Sequence, residues 1–85
     1  MLKELDLKNV VAVDGKKYML STVKLPYSGF GYLPYETMLF AVKKGVVDYK
    51  DLYCERYADE QEARERHESL LKQLQNGERI WENDL

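Results

Sequence analysis

The sequence predicts an α+β domain: a four-stranded antiparallel sheet followed by one C-terminal helix packed on one face (ββββα). Three observations carry that prediction. β-Branched and apolar residues flank the pair Asp14-Gly15, residues 35–42 are apolar at almost every position, and from Asp59 to Gly77 the apolar period lengthens from two to between three and four. The 85 residues make a single domain, 1–85. A chain of that size buries only about 60–65 % of its unfolded surface, so its core is thin.

Strands are expected at about 6–13 and 16–25. Asp-Gly between apolar runs is a strong hairpin signal, because glycine takes the positive φ of a type I′ turn without strain. In the second strand Met19, Ser21, Val23 and Leu25 share one face, and Tyr18, Leu20, Thr22 and Lys24 the other; neither is clearly polar. Pro26 ends the strand, since it has no N–H for a ladder. Tyr35 to Val42 reads as a central third strand, covered on both faces. Lys43-Lys44-Gly45 punctuates, 46–51 reads as a weakly structured turn region, and 52–57 is the fourth strand. Tyr53, Glu55 and Tyr57 lie on one of its faces, Leu52, Cys54 and Arg56 on the other. Cys54 is expected to be a small buried hydrophobe.

The helix is the clearest element. Asp59 with Glu62 three residues on makes a capping box, and Gly77 is the C′ glycine after Asn76. Ala63, His67, Leu70, Leu71 and Leu74 form one apolar stripe. Glu60–Arg64, Glu62–Arg66 and Glu68–Lys72 have the i,i+4 spacing of helix ion pairs, each contributing a few tenths of a kcal/mol. Ile80 and Trp81 are expected to staple the chain end onto the sheet or onto a second subunit.

Composition narrows the function. With 45 % hydrophobic and 33 % charged residues the chain is too apolar for disorder. No apolar run approaches the roughly 20 residues that span a bilayer, and the start MLKELDLKN has no apolar core of a signal peptide. The expected location is therefore the cytoplasm. One cysteine and one histidine leave no intramolecular disulfide and no zinc site built from several such ligands. Residues 1–50 carry eight lysines against five acids (+3), and residues 51–85 five bases against ten acids (−5). The acidic half reads as a solvated helix face, or as a surface that mimics polyanions or meets a basic partner. The lysines are scattered singles and pairs, which argues against double-stranded DNA.

Residues 27–34 stand out, with eight residues, two glycines and no acid or base. They read either as a wide turn whose rings fold over a small core or as a binding loop tipped with Tyr27, Phe30 and Tyr32. Rings supply contact area at low entropy cost and stack on bases. Tyr35 and Glu36 follow directly; Glu36 is expected to reach solvent or a lysine from the strand end, or to offer a ligand its carboxylate. His67, on the apolar stripe, is either a packed imidazole bonded to a strand hydroxyl or carbonyl, or a half-open group under the loop that contacts a ligand or switches with pH.

The order YETMLF (35–40), LYCERY (52–57) and ADEQEARERHESL (58–70) resembles a group of small phage and prophage proteins, which join an ETMxF-type strand to an RY strand and a helix opening EEA…H. The resemblance covers residues 35–71. This chain departs from the pattern at Arg66, where a small residue is common, and its N-terminal hairpin has no clear match. The likeness implies a phage or mobile-element setting, such as host takeover or counter-defence in the host cytoplasm, and transfers no catalytic residue.

The expected function is thus that of a non-enzymatic phage-type accessory protein that binds a host macromolecule through the aromatic loop. The alternative is an oligomer that traps a nucleotide-like small ligand between Tyr27, Phe30, Tyr32 and nearby lysines. The candidate contact residues are Tyr27, Phe30, Tyr32, Tyr35, Glu36 and His67, with no catalytic residue, metal or cofactor. One helix covers one face of a sheet only, so a homodimer or higher oligomer is expected.

Overall fold

The computed structural model describes residues 4–26 and 33–82. Its elements are β1 (Asp6–Val13), β2 (Lys16–Lys24), β3 (Tyr35–Lys43), β4 (Val46–Tyr57), α1 (Glu60–Gln75) and a 3-10 turn, η1 (Ile80–Glu82). The strands form one antiparallel meander in the order β1-β2-β3-β4, with α1 against one face, which is the expected ββββα architecture. Among the described residues no helix is long and apolar enough to cross a membrane.

Both hairpins turn on two residues with positive φ. Asp14-Gly15 has φ 53° and 79°, and Lys44-Gly45 has φ 53° and 78°, the signature of type I′ turns whose twist matches the strands. The second turn corrects the sequence reading: residues 46–51 are the first half of a 12-residue β4, not a weak turn region. Asp48, Lys50 and Asp51 are poor strand formers. They are tolerated because β4 is an edge strand, and the ladder shifts register between Leu39 and Ala41, which leaves these side chains exposed.

The register sorts the two faces. Leu7, Thr22, Thr37 and Glu55 form a row on the helix side, with Asn9, Leu20, Leu39 and Tyr53 as the next row towards the hairpin turns. The opposite face carries the rows Asp6–Val23–Glu36–Arg56, Lys8–Ser21–Met38–Cys54, Val10–Met19–Phe40 and Ala12–Lys17–Val42–Val47. No described element covers it.

Helix α1 starts where Asp59 caps it, its Oδ1 accepting the Glu62 N–H at 2.8 Å. It ends in a Schellman arrangement: Gly77, at φ 86°, donates to the Leu74 carbonyl and Glu78 to that of Gln73. Ala63, His67, Leu70 and Leu74 are its buried stripe. Leu70 and Leu74 join Val11, Val13, Tyr18, Leu20, Leu39 and Ile80 in the main core, whereas Ala63 packs with Leu5 and Tyr57 in a smaller one. Of the expected helix pairs, Glu60–Arg64 is present at 2.9 Å; Arg66 turns away from Glu62 and binds Glu55 on β4 at 3.0 Å.

Leu39 is fully buried on the central strand. Leu39→Ala is expected to cost about 2–5 kcal/mol in urea denaturation, since the packed sheet and helix cannot collapse into the space left. Lys44→Asn, at a left-handed position that asparagine adopts more readily, is expected to gain about 0.5–1 kcal/mol in the same assay.

Candidate functional site

Three polar or charged groupings interrupt the apolar framework. The first lies under the helix. His67 Nδ1 is 2.7 Å from Thr22 Oγ1, which is 2.5 Å from Thr37 Oγ1, and His67 Nε2 is 2.7 Å from Asn9 Oδ1. The amide oxygen only accepts, so Nε2 carries the proton and Nδ1 accepts from the Thr22 hydroxyl, which in turn accepts from Thr37. This chain separates the two core clusters and ties α1 to β1, β2 and β3. His67 is therefore the packed imidazole bonded to a strand hydroxyl, not a half-open ligand contact, because both ring nitrogens are engaged and the residue is 1 % exposed.

The second grouping sits on the uncovered face. Glu36 is buried rather than reaching solvent: its Oε2 accepts from Arg56 Nε at 3.0 Å and from the Cys54 thiol at 3.6 Å. Its partner is the cross-strand arginine, not a lysine. Cys54 is exposed, contrary to the buried position expected for it, because edge strand β4 turns it to the face that no helix covers. Desolvation and the Glu36 carboxylate push its thiol pKa up, which disfavours a reactive thiolate. On the helix side Glu55 is held below the ordinary carboxylate range: burial raises it, but hydrogen bonds from Arg66 and Tyr57 outweigh that. Arg66 thus straps helix to edge strand.

Tyr35 is half-buried against the Leu5–Tyr57–Ala63 cluster and serves packing. Tyr27, Phe30 and Tyr32 lie outside the described residues.

The third grouping was missed in the sequence. In a meander the β1–β2 and β3–β4 turns emerge at the same end of the sheet, beyond the C-terminus of α1. There Lys16, Lys17, Lys43 and Lys44 line a cavity of about 640 Å³ together with Tyr18, Ala41, Val42, Leu52, Trp81 and the two turn glycines. No carboxylate is among the lining residues. By strand parity Lys16, Tyr18, Ala41 and Lys43 point to the helix side, whereas the side chains of Lys17 and Val42 belong to the opposite face. The Trp81 ring rests on Tyr18 with centroids 4.5 Å apart. The available signal was the matching Gly15-Lys16-Lys17 and Lys43-Lys44-Gly45 segments, which a meander brings together.

No protein-family model matches this chain, and no curated protein or solved structure matches it.

Burial lowers the His67 pKa from its ordinary value. The unfolded chain therefore binds more protons below about pH 6.5, and stability should fall as pH drops from about 7 to about 5. Urea midpoints across that range are expected to show the fall in the native protein and to lose most of it in His67→Gln.

Proposed function

We propose that this chain is a non-enzymatic accessory protein of phage type that acts by binding, and that its ligand is a small anion held at the turn end of the sheet. One observation carries the reading: four lysines and no carboxylate line the cavity, in a chain whose net charge is −2. The lysines there do not follow from a generally basic surface. Among the described residues none of the four makes an ion pair, which leaves their ammonium groups for a ligand. The candidate acid–base groups support binding rather than catalysis. His67 is bonded at both nitrogens, Glu36 is paired to Arg56, and the Cys54 thiol is held neutral.

Isothermal titration with inorganic tripolyphosphate tests this. Binding that weakens with salt is expected, and Lys16→Glu with Lys43→Glu should lower affinity by at least about tenfold, the equivalent of about 1.4 kcal/mol. Both positions are surface lysines, so the fold should tolerate the changes. Absence of heat in the native protein at millimolar tripolyphosphate defeats the reading.

A second reading, self-association through the uncovered sheet face, is favoured by the register of that face. Its first row has Asp6 at one edge and Arg56 at the other, with Val10 and the Tyr49 ring, which stacks edge-on against Phe40, exposed further along. Turning a second copy over about an axis parallel to the strands lays β1 on β4 and keeps like rows together. Asp6 of the partner subunit then faces Arg56, and the contact is repeated by symmetry. In sedimentation equilibrium Asp6→Arg alone and Arg56→Glu alone are expected to be monomeric, and an equimolar mixture to form heterodimers. That mixing rescue separates a lost contact from a lost fold; a monomeric native protein, or no rescue, sinks the proposal.

A further inference from the structure

We infer that the anion taken at the turn end is the phosphate chain of a nucleotide, whose base stacks at Trp81. This rests on the anion site just proposed and adds a second half to it. Lysines form the rim, but the helix-side floor is apolar: Tyr18, Ala41 and Trp81. A bare inorganic anion prefers a floor of N–H donors. An apolar floor under a cationic rim suits a ligand with a flat, weakly polar body and an anionic end. The cavity, about 640 Å³, is of the size that small-molecule sites occupy and far exceeds a single phosphate group.

Trp81 is held ready for such a contact. Ile80, its neighbour, is buried in the main core, and the Tyr18 ring supports the indole from behind. Arg79 fastens the segment from outside: its Nε and one terminal nitrogen reach Asp14 Oδ2 at 2.8 and 2.7 Å, and the other terminal nitrogen reaches Glu82 at 3.1 Å. The same ion pair ties the Trp81 segment to the β1–β2 turn that presents Lys16 and Lys17. A ring already fixed by packing loses little entropy when a base stacks on it, and one such stack contributes about 1–3 kcal/mol.

The lining also sets the selectivity. No Asn, Gln, Ser, Thr, Asp or Glu side chain lines the cavity, so no amide or carboxylate is there to read the hydrogen-bonding edge of a base. Recognition follows stacking area and charge: purine over pyrimidine, triphosphate over diphosphate over monophosphate.

Trp81 is the chain's single tryptophan, so its emission reports the site directly. ATP, UTP and tripolyphosphate are titrated into the native protein, with fluorescence and calorimetry followed together. ATP is expected to quench Trp81 and to bind roughly tenfold more tightly than tripolyphosphate, with UTP between them. Trp81→Phe, which keeps a ring on Tyr18, should narrow the gap between ATP and tripolyphosphate, as read by calorimetry. Tighter binding of a short oligoadenylate than of ATP supports the same site with a single strand as its source; tighter binding of ATP supports the free nucleotide. Equal affinity for ATP and tripolyphosphate in the native protein overturns the stacked base and leaves the anion site standing, whereas binding of neither removes both.

Discussion

The rest of the fold depends on how a single 16-residue helix is fixed to a four-stranded sheet. Apolar packing alone allows a helix to slide or rotate on a sheet, since hydrophobic burial is not directional. Here the direction is supplied by the hydrogen-bonded chain Thr37–Thr22–His67–Asn9, which reaches from the centre of the sheet to its β1 edge. Each of those side chains loses water on folding, and any one left unpaired costs about 1–3 kcal/mol, so other placements of α1 are penalised. On the far side Arg66 bonds Glu55 on β4. The helix is thereby pinned towards both edges, with Ala63 over the small core cluster and Leu70 and Leu74 over the large one.

Pinning the helix there decides what it leaves uncovered. Its last turn ends at Gln75, and the chain continues through Gly77 and Arg79 to put Ile80 and Trp81 against β2 and the main core. The hairpin turns extend past this point, so their lysines and the indole border a common space. The cavity is thus a consequence of a meander longer than the helix that covers it. The uncovered face has the same origin, because the chain supplies no second helix among the described residues.

Much of this was legible in the sequence because the signals were local. Asp14-Gly15, the Asp59 and Glu62 cap, Gly77 and the spacing of Ala63, His67, Leu70 and Leu74 each report on their own few residues, and each element stands where its signal lies. The errors arose where a neighbour decided the outcome. Within residues 46–51 Asp48, Lys50 and Asp51 disfavour a strand, and the segment extends β4 because a type I′ turn delivers it to the edge of β3. Cys54 has the chemistry of a core residue and is exposed by its place on an edge strand, whereas Glu36 has that of a surface residue and is buried by its bond with Arg56. The lysines at 16, 17, 43 and 44 are two separate pairs along the chain, and only the pairing of β2 with β3 makes them one group.

Several features of the turn end run against what folding alone prefers. Lys44 occupies a left-handed position, φ 53°, where a non-glycine side chain crowds its own backbone and where asparagine or aspartate is more at ease. The equivalent position of the other hairpin holds such a residue, Asp14. A lysine at the second turn therefore carries a conformational cost and brings a fourth positive charge to a site that already has three. A residue more at ease in the left-handed region would hold the same turn with less strain. The left-handed lysine thus stands beside an indole held by core packing and by the Arg79 bridge to Asp14. Elsewhere in the described chain charge is paired or dispersed, as in Glu36–Arg56 and Glu60–Arg64. That contrast within one small domain sets the turn end apart from the helix face and from the buried histidine.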